Sequence, residues 1–240
     1  TQLYMMHNFH AYDYYFKKNL IRTNPPRQVD VPKIKNKNII RLDPNEIAQL
    51  LDEAESGEKL SGRQLASHEK TKVRDVAILT LLLGTGIRVS ECVGLNLEDV
   101  DFNNGAIRII RKGGNEALIY FGDEVSQALE AYMNGPRKKD EPAAGHEEAL
   151  FISLNKTRIT TRSVERLVKK YSRLVTTVKK ITPHKLRSTF GTALYQETGD
   201  IYLVADTLGH KDVNTTKKHY AAIDEHRRRM VANVVKLRES

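Results

Sequence analysis

Apolar residues recur along this chain at helical spacing, and the places where the spacing lapses mark its divisions. Phe9, Tyr12, Phe16 and Leu20 fall near a 3.6-residue period, which predicts one amphipathic helix over Tyr4–Arg22, ended by Asn24-Pro25-Pro26. From Arg27 to Arg41 the period is lost. Lys33, Lys35 and Lys37 alternate there with Ile34, Asn36 and Asn38 after Pro32, a stretch too polar and too short to fold alone. Asp43-Pro44-Asn45-Glu46 restarts the pattern with an N-cap, a proline at the first helical position and an acidic first turn. Helices are predicted over Glu46–Glu55, Lys72–Leu83 and Arg88–Leu95, the second of them buried and stopped by Gly84-Thr85-Gly86.

The period then changes. Ala106–Arg111 and Ala117–Phe121 read as strands joined by Lys112-Gly113-Gly114-Asn115, a hairpin signal. Helices follow over Asp123–Met133, Thr161–Val175, Pro183–Glu197, Ile201–Leu208 and Thr215–Tyr220, with a last one from Asp224; Gly135–His146 reads as a polar surface loop. The expected architecture is mostly α with a small antiparallel β-sheet. Residues 42–240 form the main domain, after a helix in 1–22 and a basic linker in 23–41.

Length and composition narrow the class. A chain of 240 residues with 40 % apolar content can bury one good core and a fragment of another. Mean hydropathy of −0.50 argues against a membrane protein. No run approaches the roughly 18 apolar residues of a spanning helix, and residues 1–22 lack the apolar core and cleavage site of a signal peptide. Cys92 is the single cysteine, so no internal disulfide forms; within a helical stretch it reads as a core residue of a protein in a reducing compartment. The net charge of +9 directs attention to polyanions.

Several short patterns carry possible chemistry, each with an ordinary reading beside it. His184 and Arg187 stand one turn apart at the start of a helix capped by Thr182 and opened by Pro183, where phosphate is favoured; such pairs also arise by chance. Arg88 follows Gly84-Thr85-Gly86 and precedes Glu91 by three, either a surface ion pair or a carboxylate holding a guanidinium toward phosphate. Lys112 sits at the hairpin tip, where most lysines only solubilise. Gly209 suits a left-handed helix cap, with His210 beside it, and Tyr220 ends a short helix, where a tyrosine ordinarily packs. Glu98, Asp99 and Asp101 look like a solvated turn, and no His/Cys set has zinc spacing, so neither a metal nor a cofactor is expected.

Together these residues say more than each alone. Thr85-Gly86-Ile87-Arg88-Val89-Ser90-Glu91, Pro183-His184-Lys185-Leu186-Arg187-Ser188-Thr189-Phe190, and Leu208-Gly209-His210 followed by Thr215-Thr216 and Tyr220 resemble the signature blocks of the tyrosine recombinase (phage-type integrase) family, with matching context from about Asn8 to Ala222. The resemblance implies that family's catalytic-domain fold and a site-specific recombinase, expected to be a bacterial mobile-element (phage or conjugative transposon) integrase. It implies Tyr220 as nucleophile, Arg88 and Arg187 as phosphate clamp, Lys112 as general acid, His184 as general base and His210 as a phosphate hydrogen-bond donor, with Glu91 supporting Arg88. A type IB topoisomerase, or a DNA-binding regulator without catalysis, would share the fold.

The same resemblance implies double-stranded DNA with paired recombination sites as partner, and cytoplasmic action at the nucleoid. Residues 1–22 are then expected to be the last helix of a truncated N-terminal core-binding domain. Thr160, Thr161, Arg162 and Ser163 resemble the start of the family's DNA-facing helix, and Lys33, Lys35, Lys37, Arg111 and Lys185 are further phosphate contacts, setting affinity more than sequence choice. Met230, Val231, Val234, Val235 and Leu237 give helix 224–240 an apolar stripe behind His226-Arg227-Arg228-Arg229. That stripe is expected to dock on a neighbouring protomer in a dimer to tetramer on DNA.

Overall fold

The computed structural model describes residues 11–28, 40–111 and 113–210, together with Val213 and Thr216. The chain divides into two compact units, Thr1–Asn38 and Ile39–Ser240. In the first, residues 11–17 are helical and Asn19 turns left-handed at φ 56°, so the helix ends before the prolines rather than at them. Pro25–Gln28 forms a 3₁₀ turn beside Asp13, which accepts from Asn24 Nδ2 at 2.6 Å and Arg27 Nε at 2.9 Å.

The second unit opens as its N-cap signal predicts. In α1 (Pro44–Ser56), Asp43 Oδ1 accepts from Glu46 N at 2.9 Å and Glu46 Oε2 accepts from Asp43 N at 2.8 Å, a reciprocal capping box. The next helix, α2, runs Arg63–Thr85 and so begins nine residues before the expected Lys72. Its first half buries His68, Thr71 and Asp75, polar residues that hide the apolar period. Its second half is buried on every side, from Ala77 to Leu82, and apolar but for Thr80, because it lies among α1, α4 (Asp123–Tyr132), α5 (Thr161–Val175) and α6 (Pro183–Thr198). Gly84 does not stop it; Gly86 does, at φ 63°.

After α3 (Val89–Gly94) the chain forms a three-stranded antiparallel sheet ordered β1 (Val100–Asp101), β2 (Ala106–Ile110), β3 (Glu116–Tyr120). The register pairs Ile107 with Ile119 and Ile109 with Ala117, placing buried Ile107, Ile109 and Ile119 on the core side. Two departures from expectation lie here and just beyond. The acidic run is only in part a solvated turn: Glu98 and Asp101 are exposed, but Asp99 accepts from Asn96 N at 2.8 Å and from Arg108 Nε at 3.0 Å, and Asp101 belongs to β1, too short to show alternation. Nor is Gly135–His146 wholly surface loop. Met133–Arg137 continues α4 as a π-helical turn and buries Arg137, whose Nε donates to Ala149 O at 3.0 Å.

Helix α5 matches its expected bounds, α6 runs one residue longer, and α7 spans Ile201–Thr207. Val213 and Thr216 are helical; Tyr220 and helix 224–240 lie outside the described residues. Among the described residues no helix is long and apolar enough to cross a membrane.

A buried polar network ties α2 to α5. Tyr171 Oη donates to Asp75 Oδ2 at 3.1 Å and lies 3.0 Å from His68 Nδ1, while Thr71 Oγ1 donates to the same carboxylate oxygen at 2.9 Å and Arg74 holds the other at 2.7 Å. With the tyrosine proton on Asp75, His68 Nδ1 is the donor, and its buried Nε2 has no hydrogen-bond partner. Burial, then the neighbouring Lys170 charge, lowers the His68 pKa below its ordinary 6.5.

The unfolded chain therefore takes up this proton first. The stability His68 contributes is complete above pH about 6.5 and is lost as pH falls from there through the lower folded value. Urea unfolding between pH 5 and 8 should show a steeper acid-side loss in the parent than in His68→Gln; equal slopes would exclude His68 as the source. A second expectation concerns Gly84, where an added Cβ would stand 2.5 Å from Val125 Cγ2 on α4. Gly84→Ala should cost about 1–3 kcal/mol through overpacking, despite alanine's better helix propensity. In a Val125→Ala background the same change should become neutral or stabilising.

Candidate active site

The site is assembled from the ends of helices. Gly86 closes α2 in the left-handed region, and a Cβ there would fall 2.3 Å from Phe190 Cδ1, so this turn sits directly on α6. Two residues on, Arg88 is the N-cap of α3. Glu91 reaches back to it: Oε2 accepts from the Arg88 backbone N–H and Oε1 from Nη1, both at 2.7 Å. The Glu91 side chain is only 4 % exposed and that of Arg88 37 %, so a buried carboxylate orients a guanidinium that still meets solvent. At the other end of α3, Arg158 Nη1 donates to Leu95 O at 2.7 Å and Val93 O at 3.2 Å, holding the short helix at both termini.

On α6, Pro183 occupies the first turn, but the Thr182 side chain makes no capping bond; its carbonyl accepts from Lys185 N at 2.8 Å instead. His184 is exposed, whereas Arg187, one turn later, is buried. Arg187 spans two elements, donating from Nη1 to Gly86 O and from Nη2 to Leu208 O.

Leu208 lies just past α7, where Gly209 turns left-handed at φ 60° as expected, its N–H returning to Asp206 O at 2.8 Å. Three successive carbonyls at this helix end each receive a different arginine. Thr207 O accepts from Arg111 Nη2 at 3.1 Å, Leu208 O from Arg187, and Gly209 O from Arg88 Nη2 at 3.1 Å. His210 follows, its Nδ1 2.7 Å from the hydroxyl of buried Thr216.

The structure thus brings Arg88, Arg187 and His210 to one turn, with Glu91 behind Arg88, and carries His184 on the same helix as Arg187. Lys112, Tyr220, Lys33, Lys35 and Lys37 lie outside the described residues. Arg111, expected along the DNA backbone, is turned inward onto Thr207. Thr160 caps α5, accepting from Ser163 N at 3.2 Å; Thr161 and Arg162 are exposed, and Lys185 is half-buried. Sequence reasoning missed Arg166, Lys169 and Arg173, which extend the exposed basic face begun by Arg162 at helical spacing. It also missed Arg158, the carbonyls of Gly86 and residues 207–209, and the contact of Thr216 with His210. A left-handed glycine signals a turn, but no local pattern says which distant arginine its carbonyl meets. Cys92 is a core residue with its thiol pushed up to about 12 by burial, which removes it as a nucleophile. Among the described residues no three His, Cys, Asp or Glu side chains group so as to hold a metal ion.

Known proteins resemble this chain in sequence and in fold. The match to the phage integrase family covers residues 40–227. Tyrosine recombinase XerC of Thermodesulfovibrio yellowstonii is 35 % identical over 208 residues, 86 % of this chain and 65 % of that protein. Tyrosine recombinase XerD of Oceanobacillus iheyensis is 30 % identical over 210 residues, 88 % and 66 % respectively. The chain therefore spans just under two thirds of the length of these relatives. Among solved structures, XerA recombinase superposes with a TM-score of 0.66 at 24 % identity, covering 96 % of this chain and 74 % of that one. The Tn1549 transposon integrase in complex with circular intermediate DNA gives 0.66 at 25 %, covering 92 % and 75 %. By the extent of these matches the chain belongs to the phage integrase family, the tyrosine recombinases, and has the fold of their catalytic domains.

Proposed function

We propose that this chain is the catalytic domain of a site-specific DNA recombinase that cuts and rejoins strands through a 3′-phosphotyrosyl link to Tyr220. The observation that carries the reading is the convergence of Arg88 and Arg187 on the carbonyls of Leu208 and Gly209, with Glu91 fixing Arg88. A phosphodiester attacked by an oxygen passes through a phosphorane with added negative charge, and preorganised cations are the main means of stabilising it. Arg88, open to solvent on one side, suits one of its non-bridging oxygens, and Arg187, buried beside the same turn, is proposed to serve the other.

The remaining roles are those the family resemblance implies, and their protons balance. The Tyr220 oxygen forms the new bond to phosphorus while the bond to the 5′-oxygen breaks. His184 takes the tyrosine proton, and Lys112 gives one to the departing 5′-oxygen. In the tautomer whose Nδ1 accepts from the Thr216 hydroxyl, 2.7 Å away, the His210 proton sits on Nε2, the form suited to donating a hydrogen bond to the phosphate. Bond energy is kept in the phosphotyrosine, so rejoining to another strand needs no nucleotide cofactor. The exposed face of α5, with Arg162, Arg166, Lys169 and Arg173, supplies backbone contacts on double-stranded DNA, alongside Lys33, Lys35, Lys37 and Lys185. A Tn1549 transposon integrase with DNA among the solved neighbours supports a DNA partner and a mobile-element origin. Pairing of sites requires protomers to meet, and the apolar stripe of helix 224–240 is the proposed contact in a dimer to tetramer.

Incubation with nicked duplexes carrying candidate sites should trap a covalent protein–DNA adduct. Tyr220→Phe should abolish the adduct and leave DNA binding nearly intact, because it removes one oxygen and no charge. An adduct formed by the Phe variant would reassign the nucleophile. Arg88→Lys and Arg187→Lys should each slow cleavage by about 10²–10³, since a point charge cannot replace the guanidinium fork; single-turnover rates equal to the parent would refute the clamp.

A further inference from the structure

Arg111 is not placed as a residue that only reaches for DNA would be. Pairing of β2 with β3 ends at Ile110 and Glu116, and Arg111 closes the turn beyond it: its N–H donates to Asn115 O at 2.8 Å, and its carbonyl accepts from Gly114 N at 3.0 Å. Its backbone is therefore the last anchored point before Lys112 in the chain. Gly113 and Gly114 follow at φ 100° and 82°, backbone that gives the tip no stiffness of its own. The Arg111 side chain runs back to α7, where Nη2 donates to Thr207 O, 96 residues away in sequence.

The contact is close. A Cβ on Gly209 would fall 2.5 Å from Arg111 Nη1 and 2.6 Å from its Cζ, so the guanidinium rests against bare backbone that only glycine leaves open. Its Nε is buried without a hydrogen-bond partner. An arginine kept for a backbone phosphate would hold its donors in water; this one gives up a donor to stay against the turn. The adjoining carbonyls, Leu208 O and Gly209 O, receive Arg187 and Arg88.

We infer that Arg111 is a positioning residue: it fastens the root of the Lys112 hairpin to the turn that gathers Arg88 and Arg187, so that acid and phosphate clamp keep one geometry. The inference rests on the proposed role of Lys112 as the acid that protonates the 5′-oxygen. It also separates Arg111 from the DNA contacts.

The test compares single-turnover cleavage, at saturating DNA, of nicked substrates whose scissile 5′-bridging atom is oxygen or sulfur. The sulfur leaves as a thiolate that needs no acid, so misplacement of the lysine matters only on oxygen. Arg111→Met keeps the apolar stem without donors, and Arg111→Ala removes it. Both should be slowed about 10²-fold on oxygen, the scale of a small misplacement, and cleave the sulfur substrate at close to the parent rate. Lys112→Ala should behave likewise, Arg187→Ala should stay slow on both, and the salt dependence of DNA binding should not change in the Arg111 variants. Equal slowing of the Arg111 variants on oxygen and sulfur, with Lys112→Ala still rescued, overturns the inference and leaves the acid in place. A salt slope reduced by about one, with parent rates at saturation, overturns it in favour of a backbone phosphate contact. Loss of the cooperative thermal transition in both Arg111 variants makes the residue structural and overturns it too. Failure of sulfur to rescue Lys112→Ala instead removes the lysine from the acid role.

Discussion

Three arginines from three distant parts of the chain share the last carbonyls of one short helix. Arg111, Arg187 and Arg88 donate to Thr207 O, Leu208 O and Gly209 O, and without those acceptors their mutual repulsion would drive them apart. A hydrogen bond to a charged group contributes about 1.5–3 kcal/mol, against about 0.3–1 kcal/mol for a cation at a helix C-terminus. The placement of individual carbonyls therefore outweighs the dipole behind them. Glu91 supplies Arg88 with a full negative charge, and the Arg88 guanidinium still meets solvent on its other side.

That arrangement constrains everything around it. The turn can receive Arg111 only because residue 209 has no side chain, and Gly86 can accept from Arg187 only because its own turn packs bare against Phe190. Two glycines thus let α2, α6, α7 and the β-hairpin approach one another at backbone distance. Behind them, the apolar half of α2 and the His68–Tyr171–Asp75 network keep the helices that present these ends from shifting. Polar pieces stiffen the periphery: Arg158 binds the end of α3, and Arg137 binds the backbone of the segment before Leu150.

This division gives each loop-borne group a rigid support. Arg88 is a cap rather than a helix-face residue, so its direction is set by Glu91 and Gly209 O together, not by rotamer preference alone. Arg187 is buried and bridges two turns, while His184 on the same helix stays exposed. On the proposed reading, a fixed clamp beside an accessible proton carrier is the division of labour that strand cleavage by a tyrosine asks for.

Much of this was legible in the chain itself. Proline, capping and glycine signals located α1, α5, α6 and the Gly209 turn to within a residue or two, because those signals act through bonds between near neighbours. The Arg88–Glu91 pair was readable for the same reason, being three residues apart at a helix start. The early start of α2 was hidden because its polar residues are paid for by partners on α5, which no local window contains. The acidic run before the hairpin misled because Asp99 is satisfied by Arg108 across the sheet. Which arginine meets which carbonyl, and that Arg111 turns inward, only the tertiary structure decided. All but the Arg187–Leu208 contact join residues about a hundred positions apart, and their geometry exists only once the helices have packed.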